Sequence, residues 1–177
     1  MKSKVIGVVV VIGLFAGLTG IIYAIATNSV AVGYNKGYEP DQPIPFSHKL
    51  HAEDYSIDCK YCHSSVEVSR HSSVPSLNIC MNCHLTVGID KPGVQKLSEA
   101  YSQGVSIPWK KVHLLPDHVK FDHSAHIMAG KDCKDCHGPV EFMPVVYQYN
   151  SLSMGWCVSC HRKPENNAPI ECSTCHY

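Results

Sequence analysis

The chain has 177 residues with 10 Cys and 12 His, and its 15 Lys and Arg balance 15 Asp and Glu. That length fits one domain, or one domain with a membrane segment. The even charge argues against nucleic acid as a partner, which needs a basic face. All ten cysteines fall in five copies of Cys-x-x-Cys-His, at Cys59–His63, Cys80–His84, Cys133–His137, Cys157–His161 and Cys172–His176. None is left for a free nucleophile or a separate disulfide, which excludes an ordinary cytosolic enzyme.

In chain order, the first predicted element runs from Val5 to Ala26 (VIGVVVVIGLFAGLTGIIYAIA), 22 residues without a charge. A helix of that length spans roughly 33 Å, enough for a hydrocarbon core of about 30 Å. Lys2 and Lys4 precede it and no further Lys or Arg occurs until Lys36. The positive-inside rule therefore keeps the N-terminus cytoplasmic and sends the rest across. Ala24-Ile25-Ala26 resembles a signal-cleavage site, but the apolar run exceeds the roughly 7–15 residues of a signal sequence. Residues 1–27 are expected to remain as an anchor in the bacterial inner membrane, with the rest on the periplasmic side. Gly13, Gly17 and Gly20 give small-residue notches where a second helix could approach.

Residues 28–45 read as a tether, because 33–45 (GYNKGYEPDQPIP) is rich in Gly, Pro and polar residues. Beyond the anchor, 13 basic side chains face 15 acidic ones, a formal charge of −2. Strand patterns are short and unconvincing. The best helix candidate is Val94–Gln103, with Val94, Leu97 and Tyr101 on one face after Pro92-Gly93.

Residues 46–177 carry an internal repeat. Phe46-Ser47-His48-Lys49-Leu50-His51 precedes the first Cys motif, and Phe121-Asp122-His123-Ser124-Ala125-His126 precedes the third. Ser76-Leu77 and Ser151-Leu152 likewise stand before the second and fourth. Two related units, 46–84 and 121–161, are thus predicted, with a linker over 85–120 and a fifth motif at 172–176.

Cys-x-x-Cys-His is the attachment signature of c-type haem. The thiols of Cys59, Cys62, Cys80, Cys83, Cys133, Cys136, Cys157, Cys160, Cys172 and Cys175 would form the thioethers. His63, His84, His137, His161 and His176 would be the proximal iron ligands. Zinc ribbons also use paired Cys-x-x-Cys, but tetrahedral thiolate ligation does not demand a His after the second Cys. Five covalent haems in so short a segment, with few Leu, Ile and Phe, predict a mostly irregular and α-helical multihaem domain whose core is largely porphyrin.

Seven His lie outside the motifs, for five distal positions: His48, His51, His71, His113, His118, His123 and His126. The repeated F-x-H-x-x-H pairs carry the strongest signal. Their spacing puts two imidazoles on one helical face, within reach of two haems.

F-x-H-x-x-H before a haem motif resembles the small class III multihaem cytochromes c. The anchor, the five motifs and the segments CKYCHSSVE, PSLNICMNCH, VHLLPDHVKFDHSAH, CHGPVEFMPVVYQ and SLSMGWCVSCHR together resemble the pentahaem cytochrome subunit of bacterial alternative complex III. That resemblance implies an electron-transfer subunit, not a catalyst by itself, within a membrane quinol-oxidising complex. Implied partners are iron–sulfur and quinol-binding subunits, and a monohaem cytochrome c or terminal oxidase as acceptor. Alternatives are a stand-alone quinol dehydrogenase feeding periplasmic reductases, or a multihaem nitrite-type reductase, which would need one open iron position. His48, His51, His113, His123 and His126 are assigned as distal ligands, from the repeated pairs and the Val-His of the family segment. Met143 is a further candidate, because a thioether would raise the potential of the fourth haem. Met154 lies too close to Cys157 to reach across, and His71 and His118 stay unassigned.

Overall fold

The computed structural model describes residues 2–26 and 35–177, which belong to two separate units. Residues 27–34, where the sequence places the end of the anchor and the start of the tether, lie outside the described residues. In the first unit, α1 (Lys2–Ala26) contains the apolar stretch Val5–Ala26, of mean hydropathy 2.7 and with none of it buried in protein. Its one hydroxyl in mid-span is satisfied within the helix, as Thr19 Oγ1 donates to the carbonyls of Phe15 (2.9 Å) and Ala16 (3.0 Å). A Cβ at Gly13, Gly17 or Gly20 would meet nothing within 4 Å, so these notches are open.

The second unit, residues 35–177, is helical and irregular, with no strand among the described residues. A π-helical turn at Lys49–Asp54 is followed by α2 (Cys59–Cys62), α3 (Leu77–His84), α4 (Pro92–Gln103), α5 (His123–Met128) and α6 (Cys133–His137). A 3₁₀ turn at Val140–Phe142, α7 (Met154–His161), a second 3₁₀ turn at Pro164–Asn166 and α8 (Cys172–Cys175) complete it.

Every Cys-x-x-Cys pair lies on a helical turn, and the repeat is visible in how that turn starts. The first motif of each unit is a bare turn opened by an aspartate. Asp58 accepts from the Lys60 N–H (2.7 Å) and Asp132 from the Lys134 N–H (3.3 Å). The second motif of each unit ends an eight-residue helix that begins after a serine, Ser76 for α3 and Ser153 for α7. A helical turn puts positions i and i+3 on one face, so both thiols of a pair point the same way.

α4 begins two residues before its expected start, because Pro92 is pre-set for a first helical position. It ends where Gly104 turns left-handed (φ 65°) and closes onto the Ala100 and Tyr101 carbonyls. Its buried face is Leu97 and Ala100, whereas Tyr101 is exposed. Leu97 packs with Met81 of α3 and with Ile44, flanked by Leu77, Ile107 and Trp109.

Residues 35–45, read as tether, are bonded into this second unit. The Gly37 N–H donates to the Gln148 carbonyl (2.7 Å) and the Gln148 N–H to the Tyr38 carbonyl (3.0 Å). Gln42 exchanges two bonds with the backbone of Lys110, both 2.9 Å. The fully buried Gln148 side chain donates to the carbonyls of Asn150 (3.0 Å) and Ser151 (3.2 Å) and accepts from the Leu114 N–H (3.2 Å). Through its backbone and its side chain, Gln148 thereby joins three stretches of chain that have no regular structure of their own.

Candidate haem centres

Four of the five motif histidines share an orientation that begins with Nδ1. His63 donates Nδ1–H to the carbonyl of Ser73 (2.7 Å), which is aimed by a left-handed Ser73 backbone (φ 58°). His84 donates to Val87 (2.9 Å), His161 to Pro169 (2.6 Å) and His176 to His118 (3.0 Å). A carbonyl can only accept, so these bonds fix the proton on Nδ1 and leave the Nε2 lone pair free for a metal. His51, His123 and His126 are anchored the same way, on the carbonyls of Ser47 (2.8 Å), Arg70 (2.8 Å) and Asp122 (2.7 Å). In His137 the Nδ1 instead meets the Nε2 of His113, at 3.1 Å.

Two imidazoles on opposite sides of one iron have ring centres about 6 Å apart, from metal–nitrogen bonds of about 2 Å plus the ring radii. Four pairs stand at that separation: His51–His84 at 6.1 Å, His123–His137 at 6.3 Å, His126–His161 at 5.9 Å and His118–His176 at 5.6 Å. His48 has His63 as its strongest electrostatic neighbour, and its buried Nδ1 has no hydrogen-bond partner. The repeat also holds in the supporting aromatics. Phe46 stacks on His51 (4.5 Å) and meets His48 edge-on (4.9 Å), and Phe121 stacks on His126 (4.5 Å) and meets His123 edge-on (4.7 Å).

Haem c fits this donor set. Burial raises the thiols of Cys62, Cys80, Cys133 and Cys157, and pushes that of Cys136 up to about 11. That is opposite to the low-pKa thiolate of a redox-active pair. Burial, then neighbouring imidazoles, pushes His137 down to about 3 and His48 to about 4, so both are neutral, as iron ligands must be. Among the described residues no group of three or more His, Cys, Asp or Glu is placed to hold a bare metal ion. An open cleft of about 320 Å³, lined by Ile57, Asp58, Tyr61 and Cys83, lies beside the first two motifs.

Of the residues assigned from sequence, the structure brings His51, His123 and His126 opposite motif histidines and sets His48 near His63. His113 is not at iron-bridging distance from His137, because its ring centre lies 4.3 Å from that of His137 at 84°. Met143 is 3% exposed, its carbonyl accepts from the Lys49 N–H (3.0 Å), and the ring facing His161 is that of His126. His118, left unassigned, is the residue that meets His176. The signal for it was arithmetic: the fifth motif has no F-x-H-x-x-H of its own and must borrow from the linker. What selects His118 is the Lys120 N–H bond to the Cys175 carbonyl (2.8 Å), a long-range contact.

Comparison with known proteins divides at the same linker. Residues 25–107 match the class III cytochrome c family, and residues 119–177 match cytochrome c7 and related cytochromes c. The chain is 28% identical over 165 residues to the menaquinone reductase, multihaem cytochrome c subunit, of Nitratidesulfovibrio vulgaris (strain Hildenborough), with 78% of each chain covered.

Proposed function

We propose that the chain, which matches the class III cytochrome c family over residues 25–107 and cytochrome c7 and related cytochromes c over 119–177, is a membrane-anchored pentahaem electron carrier in a quinol-linked respiratory complex. The observation that carries this is an imidazole facing the motif histidine at four of the five motifs, with ring centres 5.6–6.3 Å apart; His48, which matches His123 in the repeat, is assigned to His63. When bound, the haems supply one-electron redox chemistry. The chain's own residues hold the ligands. The Nδ1–H bonds to carbonyls fix the tautomers of His51, His63, His84, His123, His126, His161 and His176, Phe46 and Phe121 orient the distal rings, and the cysteines would tether the macrocycles. With His on both sides, as this donor set would place them, no iron position would be left for a substrate, which favours a carrier over a nitrite-type reductase.

The distal set proposed is His48, His51, His123, His126 and His118, in the order of haems one to four and then five. Replacing His118 with alanine should leave one haem in five high-spin and four low-spin in the oxidised visible and EPR spectra. A fully low-spin spectrum would remove His118 from the set.

Lys2 and Lys4 support a cytoplasmic N-terminus and a periplasmic haem domain. The resemblance to the alternative complex III subunit supports quinol oxidation, with iron–sulfur and quinol-binding partners and a cytochrome c or terminal oxidase as acceptor. The menaquinone reductase relative supports a second reading, electron delivery to menaquinone. Extraction in mild detergent, with mass spectrometry of the co-purified subunits, tests both. Haem reduction by added quinol supports the first, and re-oxidation of reduced haem by added quinone the second. Recovery as a lone, active chain would defeat the complex.

A further inference from the structure

We propose that His113 is a positioning residue for the third haem: its Nε2 accepts the Nδ1–H of His137 and thereby lowers the potential of the iron that His137 ligates. This rests on the haem reading of the third motif. Four motif histidines give Nδ1–H to a backbone carbonyl, and His137 alone meets another imidazole there, at 3.1 Å. The local chain explains why. Directly after His137 the backbone turns at Gly138 (φ 72°), where a Cβ would overlap the Tyr149 ring. The next two carbonyls are consumed inside that turn, Gly138 O by the Val140 N–H (2.8 Å) and Pro139 O by the Phe142 N–H (3.0 Å). The side chain of His113 stands where the carbonyl stands in the other motifs.

An axial role for His113 does not match the geometry. Its ring contacts the Nδ1 side of His137, not Nε2, and 4.3 Å leaves no room for an iron between the rings. His123 already lies parallel to His137 (5°) at 6.3 Å, with its Nδ1 anchored on Arg70. His113 is itself held in place, between the buried Val112 and Leu114, whose N–H is bound by the Gln148 side chain. An imidazole nitrogen is a stronger base than a carbonyl oxygen, so its hydrogen bond gives His137 more imidazolate character. That favours ferric over ferrous iron.

The test is a spectroelectrochemical titration of the holoprotein and two variants. His113→Leu should keep five haems by intact mass and remain low-spin. One haem should gain on the order of tenfold in its ferrous-to-ferric ratio at fixed potential, equivalent to about 59 mV upward. His113→Gln, which retains an acceptor, should restore most of that shift. A new high-spin signal in His113→Leu would make His113 an axial ligand, and an unchanged titration would make it packing; either overturns the proposal. Should the Leu variant fail to mature, ¹⁵N-histidine NMR of the unmodified holoprotein decides, because His113 must fall outside the hyperfine-shifted ligand imidazoles. Fewer than five haems by mass in the unmodified protein would instead defeat the underlying haem assignment.

Discussion

Replacing Cys133 and Cys136 together with serine should abolish accumulation of the folded protein, whereas the same change at Cys172 and Cys175 should yield a stable chain one haem lighter. The two motifs have identical chemistry and differ in what surrounds them. His137 lies amid His113, His123, His63 and His48, with the His113 ring centre 4.3 Å from its own and that of His123 at 6.3 Å. The Asn150 amide donates to the carbonyls of Asp135 (3.3 Å) and Cys136 (3.0 Å), tying α6 to the Gln148 junction. Removing the group attached at α6 would expose the inner faces of both repeat units at once and leave several half-buried imidazoles without a ligand role, each a desolvation cost. The fifth motif is peripheral. Cys172, His176 and His118 are exposed, and the turn is held by the Lys120–Cys175 and His176–His118 bonds. Arg70 over the Tyr177 ring, 5.5 Å from its centre, adds a cation–π contact, about 0.5–1 kcal/mol at an exposed site. Intact-mass analysis and haem staining of membranes from cells making each variant would check this. Equal tolerance, or equal loss, would contradict a central third site and a dispensable fifth.

What the sequence disclosed was whatever chemistry wrote locally. The five motifs, the twice-repeated F-x-H-x-x-H and the apolar stretch are each contained in a few neighbouring residues, and each lies on the helical turn its spacing required. What it concealed depends on chain crossings. His118 and His113 are five residues apart in one linker. The crossing at Cys175 puts His118 before His176, while the anchoring of Leu114 on Gln148 turns His113 toward His137. Nothing in the composition of Trp109-Lys110-Lys111-Val112-His113 distinguishes these outcomes. Met143 is a parallel case. Its distance along the chain from Cys157 allows it to reach that haem, but the 3₁₀ turn at Val140–Phe142 packs it against the start of the first π-helical turn. The Gly/Pro-rich stretch 35–45 shows a further limit of local reading. A segment without periodicity reads as a tether, and its backbone and Gln42 find partners at Gln148 and Lys110, more than sixty residues away.

Chain produced without haem attachment should have no cooperatively folded domain over residues 35–177, while α1 remains helical in detergent. Few large side chains in that domain are buried: Ile44, Val66, Met81, Leu97, Val112 and Met143 are its larger apolar core residues. Many others are exposed beside the motifs, including Tyr61, Leu85, Val87, Ile89 and Met154. Helices α2, α3, α5, α6, α7 and α8 have eight residues or fewer, and isolated helices below about 12–15 residues are marginal in water even with good propensity. Their stability therefore has to come from packing, and the protein supplies too little apolar surface to provide it. On the proposed ligand set, each covalent macrocycle would contribute a large apolar face and link a Cys turn to a distal His from another part of the chain, which would make attachment and folding one event. The check is limited proteolysis with thermal melting, comparing chain made with and without the haem-attachment machinery. Matured protein should resist cleavage from Asn35 onward and melt in a single transition. Unmatured protein should be cut throughout that region and show no transition, with the apolar helix surviving in the micelle. A protease-resistant unmatured chain with the same sharp melt would mean that the side chains alone build the core.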